Sequence, residues 1–224
     1  MFRPLRTILL FSLVLTGHLL KAQVNDAGLW MSVCIEKKIT PALSAFFTEE
    51  IRLNENITEA GTIFSDIGGK YQFGKRFQVG AAYRFTLKRR LDDSYEHRNS
   101  WYLDVRYREK IKPVSLILRL RYQSRYAEAY TSETAGIPKN HIRAKLTVKF
   151  DTDSKFEPYV YTETFFRLSV PAAESLDLVR WCAGVEYAFN RMHMIDLHYL
   201  IQKEMNVKNP VTDYVIGLSY QFSF

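Results

Sequence analysis

The residues best suited to chemistry in this sequence are its histidines and the serines and carboxylates around them. Of five histidines, His18 sits in an apolar N-terminal run. His97 and His141 fall in or beside polar segments expected to be loops, and His193 and His198 share one expected strand. A membrane-embedded hydrolase needs a serine activated by a histidine that an acid or amide orients. Ser94, Ser169 and Ser175 could serve as the nucleophile, and Asp196 stands two residues before His198. That spacing puts the two on one face of a strand. No spacing ties a serine to the pair, and such a dyad is more often an ordinary polar contact. Metal-ligand clusters, a Gly-rich phosphate loop and a Walker pattern are absent. The Glu49-Glu50 and Asp92-Asp93 pairs read as solvated or lumen charge, not as acid–base couples. The sequence therefore assigns no catalytic residue, no metal and no cofactor, and leans away from an enzyme.

The elements that would position these residues are strands. Fourteen Tyr and fifteen Phe stand against ten Gly and seven Pro, a balance that favours long strands. In 77–87 one face carries Phe77, Val79, Ala81, Tyr83, Phe85 and Leu87, interleaved with Gln78, Arg84 and Lys88 on the other. Leu116, Leu118, Leu120 and Tyr122 alternate with Arg119, Arg121 and Gln123; Ile142, Ala144, Leu146 and Val148 alternate with Arg143, Lys145 and Lys149. The C-terminal row Tyr214, Ile216, Leu218, Tyr220, Phe222 and Phe224 ends on the last residue. Period two predicts strands over roughly 28–39, 43–55, 61–74, 76–90, 99–110, 114–130, 141–153, 156–170, 179–190, 192–205 and 212–224. Many exceed soluble strands and match the 9–11 tilted residues that cross a bilayer.

The N-terminus predicts export. Arg3 and Arg6 precede the apolar run from Ile8 to Leu20, and Lys21-Ala22-Gln23 offers a cleavage point, the pattern of a signal peptide over 1–22. No later stretch is apolar enough for a membrane helix, so a membrane role for 23–224 requires a closed barrel. Losing Arg3, Arg6 and Lys21 lowers the formal charge from +7 to +4, too mild and too evenly spread to argue for nucleic acid. Cys34 and Cys182 could pair in an exported chain, although two free barrel-wall thiols fit as well.

Tight turns are expected near Thr40-Pro41, Gly74-Lys75, Lys112-Pro113 and Asn190-Arg191. Longer polar loops are expected near 56–61, 91–98, 131–140, 171–176 and 206–211. Short turns at one end and long loops at the other mark an antiparallel transmembrane β-barrel of the outer membrane. Eleven strands are legible, but bacterial single-chain barrels have even numbers, so ten or twelve is the expectation. A soluble exported barrel that holds an apolar ligand, with its apolar face inward, remains the alternative fold.

If the apolar face meets lipid, the other face lines the lumen. It would carry Glu50, Arg52, Asp66, Lys70, Arg84, Lys88, Asp104, Arg106, Arg108, Arg119, Arg121, Arg125, Arg143, Lys145, Lys149, Glu163, Arg167, Arg180, Glu186, Asp196 and Glu204. Basic residues outnumber acidic ones two to one in that set. Two readings follow: a lumen plugged by Arg–carboxylate networks, or a narrow channel favouring anions.

Gly28-Leu29-Trp30, Glu50-Ile51-Arg52-Leu53-Asn54, Ala82-Tyr83-Arg84-Phe85, Leu118-Arg119-Leu120-Arg121-Tyr122-Gln123 and Pro158-Tyr159-Val160-Tyr161-Thr162-Glu163 carry a resemblance, together with Asn206-Val207-Lys208-Asn209-Pro210 and Asp213-Tyr214-Val215-Ile216-Gly217-Leu218. Over nearly the whole mature chain it resembles the outer-membrane family called domain of unknown function 2490. The resemblance implies a small outer-membrane barrel and carries over no catalytic residue. The expected role is structural or narrow transport, with a barrel-embedded enzyme acting on lipid or lipopolysaccharide as the alternative. The expected partners are outer-membrane lipids and, through the final aromatic strand, the outer-membrane insertion machinery.

Overall fold

A computed structural model describes residues 24–127, 138–152, 154–168 and 170–224. The expected signal peptide with its cleavage point, most of the expected 131–140 loop and Ser169 lie outside the described residues. Alternating apolar and polar side chains become eleven strands: β1 (Val24–Lys38), β2 (Leu43–Asn54), β3 (Glu59–Phe73), β4 (Phe77–Arg89), β5 (Tyr95–Ile111), β6 (Val114–Ala127), β7 (Lys139–Phe150), β8 (Phe156–Arg167), β9 (Leu176–Ala188), β10 (His193–Glu204) and β11 (Val211–Ser223). A 3₁₀ turn, Ala172–Glu174, lies in the β8–β9 loop.

Each strand pairs antiparallel with the next, and the sheet closes where β1 pairs parallel with β11, from Val24↔Val211 to Glu36↔Ser223. The expectation of ten or twelve strands is thereby corrected. An odd number of alternating strands leaves the first and last pointing the same way, so closure needs one parallel seam. That seam removes both sheet edges as fully as an antiparallel one would. Residues 24–28 extend β1, while 114–127 and 156–167 are each one unbroken strand. His97 and His141, expected in or beside loops, lie on β5 and β7.

The tight connections 39–42, 74–76, 112–113, 151–155 and 189–192 share one end of the barrel with the C-terminus, where the Lys38 amide donates to the Phe224 carbonyl at 2.8 Å. Val24 starts at the opposite end, with the longer loops. The apolar face points outward: Phe85, Leu118, Leu120, Leu146, Ile216 and Leu218 are exposed, while Ser100, Tyr102, Arg121, Arg143 and Glu163 are buried. This excludes the ligand-holding soluble barrel, which needs the reverse. Near the tight-turn end the outer face gathers ring pairs, Phe77–Tyr107 at 4.9 Å, Phe156–Tyr187 at 4.6 Å and Phe222–Phe224 at 5.3 Å. Trp101–Tyr122 at 5.3 Å and the Tyr83–Tyr126 hydroxyl contact at 2.7 Å stand toward the other end. Two aromatic girdles flanking an apolar band fit a membrane-crossing wall.

Candidate functional site in the barrel lumen

Register brings the inward charges together. Because opposed residues on neighbouring strands lie about 5 Å apart, one row places Gln78, Arg106, Arg119, Lys145, Glu163, Arg180, Gln202 and Asp213 side by side on β4 to β11. The next row holds Asp104, Arg121 and Arg143. On β5 to β7, five cations therefore face two carboxylates, Asp104 and Glu163.

Those carboxylates are fully used. Arg121 grips Asp104 with both prongs of its fork, at 2.6 and 2.7 Å, while its guanidinium stacks 3.6 Å from the centre of the Tyr102 ring. Arg143 reaches Glu163 at 2.8 Å and donates to Gln123 at 3.1 Å. Arg119 also bonds Glu163, and Arg180 approaches it at 3.7 Å while donating to Gln202 at 2.7 Å. One carboxylate thus serves three guanidiniums. Arg106 and Lys145 join none of the ion pairs among the described residues; Lys145 rests 3.4 Å over the Tyr161 ring. The Arg119 Nε is buried with no acceptor.

The remaining inward residues form smaller groups. Arg84 forks onto Asp66 at 2.6 and 2.7 Å, which also accepts from the Tyr102 hydroxyl at 3.0 Å. Lys70 pairs with Glu36 at 2.7 Å, Lys149 with Glu186 at 2.6 Å, and Arg52 with Glu50 at 2.6 Å. His198 Nδ1 stands 2.6 Å from Asp196, so the dyad exists. Its ring lies over Gly217 so closely that a Cβ there would overlap it. None of the serines weighed as nucleophiles meets it within the described residues: Ser94 bonds Asp92 and Ser175 bonds the Ala172 carbonyl. His141 contacts Asp177 at 3.3 Å and His193 the Tyr220 hydroxyl at 2.6 Å. No group of His, Cys, Asp and Glu among the described residues could hold a metal, and both cysteines are free.

Several participants escape a reading of charges alone. Trp30 stacks under Arg52 at 3.8 Å and near Arg180 at 5.1 Å, and Phe64 lies between Arg52 and Arg84. Their parity gives them away, since Trp30 shares a face with Gly28, Ser32 and Cys34. The Glu49-Glu50 pair is split by the wall, with Glu49 exposed. Adjacent strand residues face opposite ways, so Glu50 points inward and Glu49 outward, taking a hydrogen bond from Ser65.

Outside the wall, Ser94 holds the Asp92 carboxyl below the usual range by hydrogen bonding, and the Lys110 hydrogen bond does the same for Asp151.

No curated protein matches the chain. Among solved structures, a bacterial polysaccharide outer membrane secretin superposes with a TM-score of 0.53 at 10% identity, covering 84% of this chain and 67% of that one. The beta domain of the Bordetella autotransporter BrkA gives 0.51 at 11% identity, covering 81% and 82%. OmpT of Vibrio cholerae gives 0.41 at 11% identity, over 72% and 54%. At such identities the first two establish the fold alone. The family described as protein of unknown function DUF2490 matches residues 27–212, and with the barrel described above this chain belongs to that family.

Proposed function

We propose that this protein is an exported outer-membrane barrel whose constricted, cation-lined lumen favours the passage or retention of small anions. The observation that carries the reading is the unbroken run Arg106–Arg119–Lys145 on three adjacent strands. Like charges directly opposite each other on a sheet are destabilising, and rings of Arg and Lys attract anions. A purely structural plug would be expected to match its charges, as Arg84 and Asp66 do. The girdles and the outward apolar band support the outer membrane as location, with lipid against that band. The final aromatic strand, ending beside the periplasmic turns in this orientation, supports recognition by the insertion machinery. Ser94 and Ser175 are bonded elsewhere, so neither carries the enzyme alternative.

The test is fractionation of expressing cells, followed by conductance of the refolded chain in planar bilayers. The protein is expected in outer membranes, as a mature chain beginning near Gln23, with small conductance carried mainly by anions. A soluble periplasmic product, or a cation-selective pore, would overturn the reading.

A further inference from the structure

Resting on the reading of a cation-lined lumen, we infer that the cavity beside Arg106 and Arg119 is a binding site for a small oxyanion of the phosphate kind. The cavity measures about 150 Å³, and its walls include Lys70, Gln78, Arg106, Arg119 and Arg121. A water's share of liquid volume is about 30 Å³, so the space takes a phosphate with a few waters.

The cations around it are not equally occupied. Lys70 is answered by Glu36 and Arg121 by both oxygens of Asp104. Arg119 shares Glu163 with two other arginines and leaves its Nε without an acceptor. Arg106 has Asp104 two residues back on its own face, but that carboxylate is already gripped by Arg121, and Arg106 has no ion pair among the described residues. Two guanidiniums with spare donors thus meet on adjacent strands, at register partners. Their planar forks match the geometry of an oxyanion. An anion there would end the repulsion between them and supply acceptors that the protein lacks. Gln78 lies opposite Arg106 in the same row and adds a neutral polar wall.

The experiment is calorimetric titration of the refolded full-length barrel with inorganic phosphate, against chloride at equal ionic strength. Wild type is expected to bind phosphate saturably, near one per chain. Arg106→Gln should weaken binding at least tenfold, while Arg89→Gln, at the loop end and paired with Glu55 and Asp93, should bind as wild type does. Should Arg106→Gln fail to fold, Arg106→Lys keeps the charge but loses the fork and is expected to weaken binding several-fold. The inference is overturned if phosphate binds no better than chloride, or if the folded Arg106 variant binds undiminished. Bilayer recordings separate this from the transport reading. Saturable binding in a non-conducting barrel would refute transport and leave the site, whereas anion-selective current without saturable binding would refute the site alone.

Discussion

Across β5 to β7 the interior is lined by guanidinium and ammonium groups that face Asp104 of β5 and Glu163 at the border with β8. Across β8 to β11 and β1 it holds a small apolar core, in which Tyr159, Cys182, Leu200 and Val215 are buried and Trp30 and Tyr161 pack against them. That second wall also carries the parallel seam, a pairing slightly weaker per residue than an antiparallel one. Packing compensates there: Leu200 is 0% exposed, Val215 1%, and the Ser32 hydroxyl bonds Ser219 across the seam at 2.8 Å. Gly184 and Gly217 let Tyr159 and His198 lie flat on the wall, since a Cβ on either would meet those rings. One wall therefore spends its inward face on cohesion. The other keeps unmatched charge, and the cavity lies against it.

The largest effect should come from removing the carboxylate on which the charged wall depends. Glu163→Gln leaves Arg119, Arg143 and Arg180 buried without a counter-ion, a loss expected to cost about 3–5 kcal/mol. Denaturant unfolding of the refolded protein should show it, with partial recovery in phosphate. Next, Leu120→Arg puts a charge on the outward band and should cost roughly 2–4 kcal/mol if Leu120 lies near the midplane, read as loss of heat-modifiable migration. If Leu120→Arg folds normally while Arg121→Leu does not, the inside–outside assignment is inverted. On the packed wall, Leu200→Ala should cost about 2–3 kcal/mol, the low end for a buried leucine because water can enter from the lumen. Unlike Glu163→Gln, its cost should not respond to anions.

The smallest effect concerns Asp151 in the turn at 151–155. Its carboxyl is held below the usual aspartate range by the Lys110 hydrogen bond. A depressed folded value means stability present above about pH 4 and lost as pH falls through the lower folded value. Asp151→Asn should remove that increment from the pH dependence of unfolding, slightly and without affecting lumen properties.

Strand positions were legible because period two survives in every strand. The run 114–127, with leucines and arginines alternating, could hardly be anything else. Eleven strands are legible too, and only the even-number rule points to ten or twelve. The parallel seam that lets eleven close is made between residues nearly the whole chain apart, and no local pattern records it. The identities of the inward charges were readable from parity, but their pairings depend on register between strands. Nothing near Glu163 in sequence announces Arg119, 44 residues away. Glu49 shows the limit of reading neighbouring charges as a unit, because strand geometry sends it and Glu50 to opposite sides of the wall.

The central claim, that unmatched cations on β5 to β7 make the lumen favour anions, is tested most directly by reversal potential across a planar bilayer under a potassium chloride gradient. Wild type is predicted to reverse toward the chloride equilibrium potential, and the double variant Arg106→Gln with Lys145→Gln to move toward zero. A wild-type reversal toward potassium, or a double variant as anion-selective as wild type, would contradict the account.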